Sequence, residues 1–218
     1  MSLLLKLLSA IMSICVALAL LTGSIAVPII VRSFYYAHIE PLGLEASSGL
    51  TREEIIEAYD EVLDFCIGAS DEFSAGVLPF SESGASHFAD CRVLFILDLV
   101  LFGVSMLIIA ALVIYSKKVR PLPRLGAHSA PFWGAVGMGG TLAVVGIAAA
   151  ADFDRAFVVF HSLFFPGKDN WVFSSALDPI ITLMPEVFFR NCAILILAVL
   201  LISSFIIIIA DKNTGRAD

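Results

Sequence analysis

The sequence predicts an all-α integral membrane protein with four transmembrane helices and both termini on the cytoplasmic side. Three observations predict it. Of the 218 residues, 59% are hydrophobic and only 15% charged, at a mean hydropathy of +0.96, beyond what an ordinary soluble domain carries. Four stretches, 7–31, 93–115, 131–151 and 192–210, are apolar over a length that crosses the ~30 Å hydrocarbon core. The basic residues gather on alternate connections, which sets the orientation. The chain reads as one membrane domain over 1–218, with extracytoplasmic segments 32–91 and 152–191.

The first stretch has two readings. Lys6, the apolar run and Ser24-Ile25-Ala26 resemble a signal peptide with a small-x-small cleavage site. The apolar run outlasts the usual ~7–15 residues, so an uncleaved span is preferred. Cys15 follows the large Ile14, which does not suit a lipidation site. Either reading puts 32–91 outside, where twelve acids face only Arg32 and Arg52. Within it, Thr51-Arg52-Glu53-Glu54 is a capping box, in which Thr51 and Glu54 satisfy each other's backbone donors. Ile55, Ile56, Tyr59, Val62, Leu63 and Cys66 then recur at helical spacing with acids opposite. So acidic a face does not favour anionic headgroups, and the helix is expected to pack on the membrane-facing core. Gly68–Gly84 reads as loop, and Ser86 as the N-cap of span two.

Residues 116–130 carry Lys117, Lys118, Arg120 and Arg124 and no acid, and are therefore cytoplasmic. Gly134, Gly137, Gly139, Gly140 and Gly146 lie among alanines and make span three a close-packing helix. Segment 152–191 sets five acids against Arg155, Lys168 and Arg190. In it Asp154 is expected to cap a helix over 155–165, ended by Pro166-Gly167. A further turn from Asp178-Pro179 to Phe189 leads into span four, and the tail with Lys212 and Arg216 falls inside.

Several function classes drop out. There is no phosphate-cradling glycine loop, Cys-x-x-Cys pair or zinc-protease motif, and the basic residues are too few and too cytoplasmic for nucleic acid. Cys66 and Cys91 are both external, which leaves a disulfide open. Of four histidines, His128 is cytoplasmic and His38 suits the interface. His87 and His161 remain. With Ser86 as cap, His87 sits at a helix N-terminus, where partial positive charge disfavours imidazolium and leaves a neutral proton acceptor. Asp90 is placed to orient that ring or to offset the dipole, although capping alone also explains Ser86, His87 and Asp90. Asp98 lies inside span two, about 16 Å along from His87 on the same face. A carboxylate there is a functional candidate, or else a buried partner for Arg92, Arg190 or a helix-packing serine. Phe157, Phe160, Phe164 and Phe165 flank His161, and with Trp171 and Trp133 they suit the headgroup boundary.

"SHFADCRVLF", "FHSLFFPGKDNW" and "DPIITLMPEVFF", in this order among four spans, resemble the bacterial lipoprotein intramolecular transacylase (Lit) family. Cys91 stands where an aliphatic residue is expected. The resemblance implies a membrane acyltransferase of the bacterial cytoplasmic membrane, multi-pass, with its site on the extracytoplasmic side. It moves the sn-2 acyl chain of a lipoprotein's diacylglyceryl-cysteine onto that cysteine's α-amine, giving the lyso-form, without metal or soluble cofactor. Lipoproteins are then the substrates and membrane lipids the surroundings. His87 and His161 are the implied catalytic pair; the helix N-terminus, which favours neutral His87, makes His87 the expected base and leaves His161 to polarise the ester. Asp90 and Asp98 support them, and Phe160, Phe164, Phe165 and Trp171 shape an acyl-facing groove. Two other readings compete: a non-enzymatic sensor or assembly partner using the acidic outer segment, and a metal-dependent membrane hydrolase built on His87, Asp90 and His161.

Overall fold

The computed structural model describes residues 3–214, so Arg216 lies outside the described residues. The helices, in chain order, are α1 (Leu3–Ile30), α2 (Ser33–Tyr36), α3 (Leu44–Ser48), α4 (Arg52–Ile67), α5 (Glu82–Lys118), α6 (Ala130–Ala151), α7 (Phe153–Phe164), α8 (Ile180–Leu183) and α9 (Glu186–Thr214). Four of them, α1, α5, α6 and α9, are long and apolar enough to cross a membrane, and they contain the four expected spans except Val31, which follows the end of α1. At 37 residues α5 is about 55 Å long, well beyond the ~30 Å a span needs. Its apolar stretch is 93–115, and its first eleven residues precede that span.

The chain divides into two compact units. One comprises Met1–Ile25, Asp98–Ala148 and Leu195–Asp218. Apolar side chains give no hydrophobic drive between helices in lipid, so close backbone approach has to supply the contact. The glycines of α6 supply it here. A Cβ on Gly134 would lie 2.4 Å from the Ser13 carbonyl oxygen of α1, and one on Gly146 would lie 2.5 Å from Leu197 of α9. Gly139 packs against Ser204 in the same way. Met12, Val16, Leu112 and Ala130 form a buried cluster. Ser9 and Ser13 donate to the carbonyls of Pro123 (2.9 Å) and Ala130 (2.7 Å), fixing the 119–130 connection to α1. Asp211 accepts from the Ser129 amide (2.9 Å) and His128 Nδ1 (2.7 Å), with Arg124 at 3.4 Å. His128 is thus a partner that ties α9 to this connection.

The other unit comprises Ala26–Leu97 and Ala149–Ile194. The capping box forms as expected, with Thr51 Oγ1 accepting from the Glu54 amide and Glu54 accepting from the Thr51 amide. The spaced apolar residues of α4 are buried, apart from the half-buried Ile56. Tyr59 stacks on the fully buried Tyr35 at 3.7 Å, and Tyr35 donates to the Leu183 carbonyl (2.9 Å). His38 does not merely sit at an interface: Nδ1–H donates to Phe34 O (2.7 Å) and Nε2 accepts from Asn191 (3.0 Å). Cys66 and Cys91 are free rather than joined, as are Cys15 and Cys192.

Two caps differ from expectation. Helix α5 begins at Glu82, not beside Ser86, and Ser81 caps it through a 2.9 Å bond from the Gly84 amide. Buried Asp178 accepts from the Ser81 amide (2.7 Å) and hydroxyl (2.9 Å), so the stretch read as loop is drawn into helix by a distant carboxylate. Helix α7 is capped by Asp152, which accepts from the Arg155 amide (3.0 Å), rather than by Asp154.

The α6 seam predicts an internal contrast. Gly134→Leu should lower the melting temperature in detergent by several degrees, the effect of ~1–3 kcal/mol of overpacking. Gly137→Leu, with nothing within 4 Å of its Cβ, should leave it within a degree or two of wild type. Equal shifts on differential scanning fluorimetry would contradict the seam.

Candidate active site

His87 and His161 come from segments 74 residues apart, α5 and α7, yet their ring centroids lie 5.8 Å from each other. Both are in the second unit. Helix α5 carries His87 in its second turn, with Asp90 and Cys91 one turn on. Helix α7 carries His161 one turn before its end, after which Phe165 and Pro166-Gly167 turn the chain toward Lys168-Asp169-Asn170-Trp171. Gly167 takes φ +74°, a conformation that favours glycine.

Aromatic rings wall the pair. Trp171 stacks on His161 at 4.6 Å and Phe157 lies at 4.2 Å from it. Phe165 and Phe173 meet His87 edge-on at 5.0 and 5.4 Å. The imidazoles are 5% and 7% exposed. Two charged rings this close and this dry would repel and forgo hydration, so both favour the neutral form. Burial, and then the His161 ring, push His87 down to about 4. Burial also lowers His161, partly opposed by the bond it makes to a backbone carbonyl. The helix N-terminus is not the main cause of His87's neutrality, since His87 is not the first helical residue.

Hydrogen bonding makes the two rings unequal. His161 Nδ1–H donates to the Phe157 carbonyl (2.8 Å), which can only accept. The lone pair of His161 therefore resides on Nε2. His87 Nε2 lies 3.4 Å from Cys91 Sγ, and His87 Nδ1 is buried with no hydrogen-bond partner among the described residues. Burial, then Asp90, push the Cys91 thiol up to about 12, so it stays S–H.

Asp90 makes no hydrogen bond to His87, although the sequence places it to orient that ring. Its carboxylate accepts from Lys168 Nζ (2.6 Å) and Asn170 Nδ2 (3.1 Å), and the same amide reaches Ser86 Oγ (3.4 Å). Against the opposing effect of its own burial, the Lys168 and Asn170 bonds hold the Asp90 carboxyl below its usual range. Asp90 thus clamps the segment after α7 onto α5. The flanking phenylalanines divide: Phe165 is 4% exposed and touches both histidines, whereas Phe160 and Phe164 are 48% and 47% exposed. Asp98 belongs to the first unit, buried, with Oδ2 lacking a hydrogen-bond partner among the described residues. Among the described residues, no three His, Cys, Asp or Glu side chains converge as metal ligands.

Sequence reasoning missed Lys168, Asn170, Phe173 and the contact of Cys91 with His87. A signal for the first two existed: a charged and polar run inside an otherwise aromatic stretch has to find partners.

The sequence model of the family described as lipoprotein intramolecular transacylase Lit matches residues 10–189. The chain is also similar to the in meso structure of the membrane integral lipoprotein intramolecular transacylase Lit from Bacillus cereus. That likeness has a TM-score of 0.79 and 24% identity, covering 94% of this chain and 92% of that one. A variant of the same Bacillus cereus protein, with a histidine replaced by alanine, gives a TM-score of 0.79 at 22% identity, covering 99% and 96%. No curated protein matches the sequence.

Paired burial has a consequence for pH. A histidine lowered on folding stabilises the fold above its unfolded value near 6.5, and that contribution is lost as pH falls toward about 4, because the unfolded ring takes up its proton first. Wild-type melting temperature should fall between pH 7.5 and 5, and His87→Phe should flatten part of that slope. Parallel slopes on thermal denaturation would contradict the buried neutral ring.

Proposed function

The chain belongs to the lipoprotein intramolecular transacylase family, and from that premise we propose where and how it transfers the acyl chain. The protein is a multi-pass membrane acyltransferase. Its site is the His87–His161 pair, on the extracytoplasmic side of the bacterial cytoplasmic membrane, with both termini in the cytoplasm. Its substrate is a lipoprotein whose N-terminal cysteine carries a diacylglyceryl group, and the sn-2 chain moves to the α-amine of that cysteine. The observation that carries the reading is the approach of two neutral, buried imidazoles to 5.8 Å, walled by aromatic rings.

The bonds balance simply. The amine nitrogen forms a bond to the ester carbonyl carbon, the carbon–oxygen bond to glycerol breaks, and one proton passes from nitrogen to the glyceryl oxygen. An imidazole can ferry it. His161 is the better ferry, because Nδ1–H is fixed on the Phe157 carbonyl, Nε2 is bare, and that carbonyl steadies the imidazolium. This reverses the roles expected from the helix-dipole argument. His87, held uncharged more firmly, acts as a neutral hydrogen-bonding partner. An α-amine ionises near ~7.7–8.0, so its neutral form is accessible at neutral pH. Nucleophile and ester belong to one molecule, and holding them together gains effective molarity. Excluding water protects the ester from hydrolysis. Phe165 and Trp171 shape the pocket at the histidines, while the exposed rings of Phe160 and Phe164 contact acyl chains in the bilayer. Asp90 supports the site through its clamp.

Family membership favours acyl transfer over a sensor or a metal-dependent hydrolase. Co-expression with a model diacylglyceryl lipoprotein tests the site, with mass spectrometry of the modified N-terminus as readout. His161→Ala and His87→Ala should each lower lyso-form production by ~10²–10⁴-fold. Substituting acidic residues of α4, such as Glu53→Gln with Glu57→Gln, should leave it unchanged. Native rates in both histidine variants would overturn the assignment.

A further inference from the structure

Among all polar atoms of the site, two buried ones stand unmatched on facing residues. His87 Nδ1 has no hydrogen-bond partner among the described residues, and neither has Asn170 Oδ1. Leaving either atom unpaired away from water is unfavourable, because the lost hydration is not replaced. The Asn170 amide cannot turn to relieve this, because its Nδ2 donates to the Asp90 carboxylate (3.1 Å). A flip would set carbonyl oxygen against carboxylate oxygen. Asp90 is in turn held by Lys168 (2.6 Å). The amide also reaches Ser86 Oγ, so it is pinned to the residues one before and three after His87 on α5. The oxygen, an acceptor only, is the end of the amide left without a partner among the described residues. Although no bond between them is formed, the Asn170 side chain lies near enough to the His87 ring to favour its protonated form. At the ring's other nitrogen the Cys91 thiol, which keeps its proton, stands 3.4 Å from Nε2 and can donate to it.

We infer that Asn170 is a positioning residue for His87: its amide oxygen accepts from His87 Nδ1–H, which leaves Nε2 as the atom offered to the substrate. The chain Lys168–Asp90–Asn170–His87 then fixes the tautomer of one histidine, as the Phe157 carbonyl fixes that of the other. Both rings then offer an unprotonated Nε2. His161 Nε2 takes the proton, and His87 Nε2 accepts a hydrogen bond from the second N–H of the same amine, displacing the Cys91 thiol. The amine is thereby aimed by two acceptors before it attacks. The role given to Nε2 rests on the acyl-transfer reading, while the tautomer itself does not.

The tautomer can be read directly by nitrogen-15 NMR of histidine-labelled protein in detergent micelles at pH 7.5, with His87→Gln assigning the signal. Wild-type His87 should show a protonated Nδ1 and an unprotonated Nε2. Asn170→Leu should shift that population toward the Nε2–H form, and Asn170→Ser, a smaller change, should do so in the same direction. In the mass-spectrometric assay both variants should lose on the order of tenfold or more in kcat with little change in KM, the pattern of misdirected proton transfer. A wild-type spectrum with the proton on Nε2 overturns the inference without any variant. So does an unchanged tautomer in a folded Asn170→Leu. A wild-type protein that makes no lyso-form product sinks the acyl-transfer reading but leaves the spectrum to judge Asn170.

Discussion

The site depends on what the Asp90 carboxylate holds. It lies one turn beyond His87 on α5 and gathers the Lys168 ammonium and the Asn170 amide. Those residues belong to the stretch that leaves α7 past the histidines, and clamping it sets Trp171 on His161 and Phe165 beside both rings. Without the clamp, an aromatic segment broken by Pro166-Gly167 would have no polar anchor on α5. An ion pair this exposed is worth little as stability, ~0–1 kcal/mol. Its value is positional, because charge and amide together fix a direction that ring packing alone leaves free.

From that clamp follows the electrostatic character of the pair. Rings that wall out water make imidazolium costly, and a second imidazole at 5.8 Å makes it costlier. The result is two neutral bases rather than an acid and a base. Neutral rings suit a reaction in which a proton only changes places within one substrate. The backbone carbonyl on His161 separates the two, because it offsets part of the cost of charge on that ring and has no counterpart on His87.

Much of this was legible in the sequence, and what was not has a common cause. The four spans, the Thr51–Glu54 capping box and the glycine seam of α6 follow from local spacing, and all three appear. The choice of caps does not follow from spacing. Ser81 and Ser86 are equally good N-caps, and Ser81 wins because Asp178, 97 residues away, accepts from its amide and hydroxyl. Asp90 was read as a partner of its near neighbour His87, but a lysine 78 residues on is the stronger claim on a carboxylate. Asp152 and Asp154 present the same choice at α7, and the helix takes the earlier one. His87 and His161 could be named as candidates from residue type and side of the membrane, whereas their meeting and their unequal tautomers belong to the tertiary structure.

The central claim is that one acyl chain moves within one lipoprotein at the paired histidines. Its most direct test uses purified protein in lipid nanodiscs and a diacylglyceryl lipopeptide whose sn-2 chain alone carries carbon-13, followed by tandem mass spectrometry of the product. The label is expected on the α-amine of the same peptide, with none in free fatty acid and none exchanged with an unlabelled peptide present in excess. Label released as fatty acid, or spread among peptides, would contradict it.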